Sequence, residues 1–294
     1  MEFQQQFKEY IKRVNNKLEF YLSIKEGKNK RLFQAMGYSV FAGGKRLRPV
    51  LSLSAYDMFS DDTEAVLPYA CGIEMIHTYS LIHDDLPAMD DDDFRRNKPT
   101  NHKVFGEGTA ILAGDGLLNY AFEVMLQDAL LRNNGKYYSS IYEIIKAAGV
   151  NGMIGGQLVD LESEGVSIDG ETLDYIHLNK TAALIIASLK VGAIIGDGNI
   201  ADIKNMEIVG KNLGLAFQIR DDILDIIGSK DKLGKDIGSD ENNNKSTYPS
   251  IYGLEYSKNK VKALTGEVKE ILQGYGKKAD FLRSLSLHLM EREY

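Results

Sequence analysis

Apolar residues recur along most of this chain at three- and four-residue intervals, the spacing of one face of an α-helix. That period predicts helices over residues 3–26, 29–42, 47–58, 62–86, 109–131, 138–163, 170–196, 201–228 and 247–257, with two more near 259–274 and 278–291. No run alternates apolar and polar residues convincingly enough to predict a strand. Breaks such as "RNNGK" (Arg132 to Lys136) and "GDGN" (Gly196 to Asn199) separate the helices. "GSDENNNKSTYP", Gly238 to Pro249, is the longest irregular stretch and reads as a mobile loop. No segment is rich enough in Pro, Gly or Ser to divide domains, and no repeat of fixed period is present. The pattern predicts an all-α fold in one domain.

Composition narrows this further. Five prolines and no tryptophan in 294 residues suit long helices, and 44% hydrophobic with 26% charged residues argues against disorder. The single Cys71 excludes an intrachain disulfide and points to a reducing compartment or indifference to redox. "MEFQQQFKEYIKRVNNKL" reads as an amphipathic helix, without the apolar core of a signal peptide or membrane span, so the cytoplasm is the expected location. A net charge of -7 disfavours nucleic acid as a partner, because a phosphate polymer needs a basic footprint. Yet two small basic clusters, "GGKRLRP" (Gly43 to Pro49) and "FRRNKPTNHK" (Phe94 to Lys103), sit beside acidic ones. Cations gathered locally on an acidic chain fit a small polyanionic ligand better than a polymer.

The acidic residues carry the chemistry. Asp84, Asp85 and Asp90 to Asp93 fall within ten residues, directly after an apolar segment. Such density is offset either by a solvated loop or by a divalent metal. Ile73, His77, Ser80 and Asp84 share one helical face, with His77 about 10 Å behind Asp84. Pro87 predicts that the helix ends around Asp85 and that the chain folds over, bringing Asp90 back towards Asp84. A second cluster, "AFQIRDDILDIIG" (Ala216 to Gly228), lines up Gln218, Asp221, Asp222 and Asp225 on one face of a helix otherwise largely apolar. Three carboxylates on a buried-looking helix cannot stay unpaired. Two Asp-Asp helices facing across a cavity would make an all-oxygen site, suited to Mg²⁺ held jointly by protein and phosphate. Lys45 and Arg48 after flexible glycines, Arg95 and Arg96, and Lys180 with Thr181 amid apolar neighbours add cations for a diphosphate. A basic helix start and a snorkelling lysine are the plainer readings of two of these groups.

At this point the residues resemble the short-chain trans-prenyl diphosphate synthases, and within them the bacterial-type farnesyl diphosphate synthases. The likeness runs over essentially the whole chain, through "GGKRLRP", "IHTYSLIHDDLPAMDDDDFRRNKPTNHKVF", "GGQLVDL", "NKTAALI", "FQIRDDILD" and "GKD…NKSTYPS" in order. The resemblance implies one polyprenyl synthase domain over residues 1–294. It also implies an isoprenoid-synthase helix bundle around a central elongated cavity, and a homodimer. It implies Mg²⁺ as cofactor, three ions per active site with Mn²⁺ as an alternative. Asp84 and Asp90, supported by Asp85, would hold metal from the first motif, and Asp221, Asp222 and Asp225 from the second. Lys45, Arg48, His77 and Arg96 fall where the family binds isopentenyl diphosphate. Arg95, Lys180, Thr181, Gln218, Lys235 and Lys245 fall where it binds the allylic diphosphate.

The implied reaction condenses isopentenyl diphosphate with dimethylallyl and then geranyl diphosphate, through ionisation of the allylic C–O bond, releasing pyrophosphate. The catalytic group would be Asp84, Asp85, Asp90, Arg95, Lys180 and Asp221. No side chain stands out as a dedicated base, which leaves the released pyrophosphate to take the proton. Tyr79, with the small Ser80 beside it and the "PA" expansion of the first motif, resembles the pocket floor of enzymes that stop at C15. A simple wheel sets Tyr79 roughly 140° from Asp84, so its direction is implied by the family alone. A C20 product is the alternative, and a non-catalytic partner subunit a further one. Intact aspartate motifs disfavour the partner subunit, and the second cation set disfavours a terpene cyclase. The acidic run lacks the ligand order of an EF-hand. Asp91 and Asn179 depart from residues common in the family and remove none of those above.

Overall fold

The computed structural model describes residues 2–23, 26–60, 64–227 and 246–290. Their order is α1 (Phe3–Leu22), α2 (Lys30–Val40), α3 (Leu47–Tyr56), α4 (Leu67–Asp84), a hairpin of β1 (Phe94–Arg95) and β2 (Lys98–Pro99), α5 (Asn101–Phe105) and α6 (Glu107–Arg132). There follow α7 (Gly135–Ala148), α8 (Met153–Glu162), α9 (Gly170–Ile176), a π-helical turn (His177–Ala182), α10 (Ala183–Ile195) and α11 (Ile200–Ile227). After residues 228–245 come α12 (Tyr248–Tyr252), α13 (Leu254–Gln273), a 3₁₀ turn (Gly276–Ala279) and α14 (Asp280–Met290). The all-α expectation is met: the hairpin is the one sheet among the described residues.

Two helices form the centre because they are apolar all round. Helix α4 buries Tyr69, Cys71, Ile73, Met75, Ile76, Tyr79 and Ile82 and packs chiefly against α6 and α3. Helix α10 packs against α3, α7 and α11. The stretch Gly170–Ile195, which contains α10, is long and apolar enough to cross a membrane, and in this fold it is a core helix of the bundle. The outer α1 instead buries a stripe of Tyr10, Val14, Leu18 and Leu22, four residues apart.

Several predicted boundaries move, for local reasons. The single helix expected over 138–163 is two, because Gly152 adopts φ -135° and ψ -129° between α7 and α8. The helix expected over 247–257 breaks at Gly253, whose φ of 86° is left-handed. Helix α4 starts at Leu67, five residues late, with a proline in its first turn. The hairpin was invisible to periodicity because each strand has two residues. Its register pairs Phe94 with Pro99 and Arg95 with Lys98. Arg96 (φ 55°) and Asn97 (φ 59°) form the two-residue turn between them, both left-handed as a type I′ turn requires.

Candidate active site

Helix α4 ends at Asp84, with Asp85 as its C-cap. The chain then doubles back, and the Asp90 amide donates to the Asp84 carbonyl at 2.9 Å. The fold-back anticipated from Pro87 is therefore present. Asp84 Oδ1 accepts from Gln157 Nε2 of α8 at 2.6 Å. Asp85 is 3% exposed and its Oδ1 accepts from Arg95 Nε at 2.5 Å. Desolvation, opposed by Arg95 and aided by Asp92 and Asp84, pushes the Asp85 carboxyl up to about 6. Desolvation, then the Asp84 charge, pushes Asp90 up to about 6 as well, and Lys180 partly offsets this. Asp92 and Asp93 bond to the segment that follows the hairpin. Asp93 pairs with Lys103 at 2.5 Å, and Thr100 Oγ1 donates to the Asp92 carbonyl at 2.8 Å.

A basic cluster is joined to this motif through the hairpin, where Arg95 meets Asp85 and the next residue, Arg96, lines a separate cleft. Lys45, Arg48, His77 and Arg96, widely separated in sequence, line one cleft of about 150 Å³ with Glu74 and Phe217. Arg96 donates to the Gly43 carbonyl, and its guanidinium lies against Gly44, whose φ of 119° favours glycine. Arg48 Nε is buried without a hydrogen-bond partner. Burial lowers Arg48 to about 10, with Glu74 opposing and Arg96 assisting. Burial and the neighbouring Arg48, Arg96, Arg95 and Arg46 push His77 well below its ordinary value, so it is neutral near pH 7. The cleft is rich in cationic donors and short of acceptors, the electrostatic profile of an anion site.

In the wall of the cleft sits a pair that sequence reasoning passed over. Arg46, left-handed at φ 48° and 5% exposed, donates to Glu74 Oε1 at 2.7 Å, Asn15 Oδ1 at 2.9 Å and the Val40 carbonyl at 2.6 Å. One guanidinium thereby ties α1, α2 and α4 under the "GGK" loop. Nothing in the periodicity distinguishes Arg46 from its exposed neighbour Lys45.

The second motif connects to the first through α8 and the π turn. Lys180 Nζ lies 2.5 Å from Asp160 Oδ2 of α8. A Cβ on Gly156 would collide with the backbone of Asn179 and Lys180, so that glycine lets α8 sit against the π turn. His177, at the start of the turn, brings Nε2 to 3.9 Å from Asp222 Oδ2 on α11. Asp222 is 9% exposed and accepts from the Tyr248 amide at 2.9 Å, whereas Asp221, Asp225 and Gln218 are half-buried. Thr181 is also half-buried on the π turn. Lys235 and Lys245 lie outside the described residues. No three Asp, Glu, His or Cys side chains converge on one point among the described residues. A metal here would need oxygens from a ligand to complete its shell.

The polyprenyl synthetase profile matches residues 29–282. The chain belongs to that family. Among its relatives in the family, the farnesyl diphosphate synthase of Geobacillus stearothermophilus is 50% identical over 250 residues, 84% of each chain. A geranylgeranyl pyrophosphate synthase of Capsicum annuum is 42% identical over 95% of this chain and 76% of its own. The crystal structure of an FPP/GFPP synthase from Zymomonas mobilis superposes with a TM-score of 0.88 at 34% identity, covering 98% of both chains. Gln157 and Asp160 stand in "GGQLVDL", a segment of the family pattern whose individual roles the sequence left unassigned. His177 and Tyr248 were likewise missed, being separated by 71 positions and joined only by the fold.

Proposed function

We propose that this chain is a trans-prenyltransferase that makes farnesyl diphosphate from isopentenyl, dimethylallyl and geranyl diphosphates. The observation that carries this reading is the cleft of Lys45, Arg48, His77 and Arg96 beside the Asp84–Asp90 fold-back. A condensing enzyme needs two diphosphate sites, and a terpene cyclase needs one. The 50% identity to a farnesyl diphosphate synthase supports the C15 product.

The donor set fits Mg²⁺, which takes one or two carboxylates and completes its shell with phosphate and water. Asp84 and Asp90 would hold it on one side, and Asp221 with Asp225 on the other. Bound there, three Mg²⁺ ions would neutralise the diphosphate oxygens. Asp85 contributes by fixing Arg95. Arg95, Lys180, Thr181 and Gln218, with Lys235 and Lys245, orient the allylic diphosphate and stabilise it as it leaves with the C–O bonding pair. Lys45, Arg48, His77 and Arg96 hold isopentenyl diphosphate so that its double bond attacks the allylic carbon. The tertiary cation this leaves at C3 of isopentenyl diphosphate loses a proton from C2 to the departed pyrophosphate, which forms the new allylic double bond. No protein base is required.

We read residues 1–294 as one domain acting as a homodimer in the cytoplasm. Support for a dimer is the exposed apolar side of α6 and α7, which carries Leu112, Leu130, Leu131 and Tyr142. The test supplies dimethylallyl and isopentenyl diphosphates with Mg²⁺ and sizes the products. C15 should dominate; a dominant C20 product rejects the farnesyl assignment in favour of geranylgeranyl diphosphate. No product at all from folded protein revives the partner-subunit reading.

A further inference from the structure

Behind the second aspartate motif, four side chains from three stretches of chain meet, with Tyr248, His177 and Asp222 buried and Asp174 half-buried. Tyr248 is 2% exposed, and its Oη donates to Asp174 Oδ1 of α9 at 2.5 Å. Its ring stacks on His177, with centroids 5.8 Å apart and planes 18° from parallel. Its amide donates to Asp222 Oδ2 at 2.9 Å, and His177 Nε2 lies 3.9 Å from the same oxygen.

Local structure explains why Asp222 is spent this way. Thr247 and Ser250 close a reciprocal cap on α12, the Thr247 amide donating to Ser250 Oγ at 2.8 Å and the Ser250 amide to Thr247 Oγ1 at 3.3 Å. The Tyr248 amide, first in that helix, has no acceptor within it, and the Asp222 carboxylate supplies one. Asp222 is thus turned into protein, while Asp221 and Asp225 on the same helix keep partly exposed carboxylates. The π turn that carries His177 also carries Lys180, so one clamp touches both the aspartate helix and a diphosphate-facing lysine. π turns of this kind recur at functional positions, where one extra residue re-aims a side chain.

We propose that Tyr248, Asp174 and His177 are positioning residues that hold Asp222 and thereby set the rotation of α11 that presents Asp221 and Asp225. A rotation of about 20° at a side-chain radius of about 5 Å would carry a carboxylate about 2 Å. Mg²⁺ accepts oxygens only at about 2.1 Å in near-octahedral array, so it cannot follow such a shift. The inference rests on the reading above that Asp221 and Asp225 face magnesium.

Tyr248→Phe removes the bond to Asp174 and keeps both the stack and the amide; Asp174→Ala removes the acceptor of the same bond. For each, calorimetry measures binding of inorganic pyrophosphate with and without Mg²⁺, and turnover gives the Mg²⁺ requirement and both KM values. We expect the Mg²⁺-dependent part of pyrophosphate binding to weaken roughly tenfold or more, and the Mg²⁺ for half-maximal rate to rise, with isopentenyl diphosphate KM within about twofold of wild type. The double variant should be no worse than the poorer single one, because both cut the same link. Unchanged Mg²⁺-dependent binding overturns the proposal, even if the melting temperature falls. An equal loss in isopentenyl diphosphate KM overturns it too, as general loosening. Asp221→Asn in the same assays separates the two levels. If it binds Mg²⁺ and pyrophosphate normally, the metal-facing reading fails; if it is impaired while Tyr248→Phe is not, only the positioning role fails.

Discussion

The amide of Asp90 donates to the carbonyl of Asp84 across a 2.9 Å hydrogen bond, closing the loop that brings two carboxylates of the first motif to one place. Both Asp85 and Asp90 are pushed up to about 6, so ionising them costs more in the folded loop than in the unfolded chain. The like charges it gathers are costly by themselves.

Replacing Asp90 by alanine should therefore cut condensation by ~10²-fold or more, since Asp90 would help hold the Mg²⁺ that offsets the charge growing on the departing diphosphate. The melting temperature of the metal-free protein at pH 7.5 should hold or rise. A variant that melts early and regains full rate on cooling would assign Asp90 a structural role instead.

The same shifts set a pH dependence. Folded-state values near 6 for Asp85 and Asp90 exceed the unfolded value of about 3.9. Their stabilising contribution is therefore complete below about pH 3.9 and is lost as pH rises through about 6. Comparing metal-free wild type with Asp90→Asn by thermal melts across that window should show a smaller pH slope in the variant. In calorimetry, Mg²⁺ with pyrophosphate should bind wild type more weakly as pH falls through about 6, because protons compete for the same oxygens.

Arg46 and Glu74 are 5% and 2% exposed, so removing one leaves the other charged and buried. Glu74→Leu should cost about 3–5 kcal/mol in urea denaturation. Pairing it with Arg46→Met should recover much of that loss. Recovery of stability without recovery of isopentenyl diphosphate KM would indicate that the pair shapes the cleft as well as holding the fold.

Lys180 meets Asp160 at 2.5 Å and partly offsets the upward shift of Asp90. Lys180→Ala should lower kcat by about 10²-fold and raise the allylic KM, leaving isopentenyl diphosphate KM nearly unchanged. Steady-state kinetics with each substrate varied in turn checks this.

Tyr79 is 6% exposed, and its ring meets His83 edge-on at 5.7 Å. His83 in turn lies 3.0 Å from the Ile111 carbonyl, fixing this wall to α6. Tyr79→Ala should cost about 3 kcal/mol and lengthen the products beyond C15 if the ring floors the tail pocket. Product sizing on the variant decides it, and an unchanged C15 profile removes Tyr79 from chain-length control.

The helical architecture, the end of α4 and both aspartate motifs are legible before any tertiary contact is known. Each follows from short-range rules: apolar residues at helical spacing, a proline after Asp85, carboxylates three and four apart on one face. Lys45, Arg48, His77 and Arg96 were separately legible as cations or as a face-sharing histidine, and the family pattern grouped them. Their shared cleft required the Arg96–Asn97 turn, a left-handed pair that two-residue strands do not announce. Tertiary structure alone decided how each polar group is spent. Arg46 is buried and Lys45 exposed because only the former reaches Glu74, Asn15 and the Val40 carbonyl at once. Asp222 faces Tyr248 while Asp221 and Asp225 remain half-buried, because α12 presents an unsatisfied amide beside α11. A buried donor must find an acceptor wherever the chain brings one, and sequence spacing does not encode which distant residue that will be.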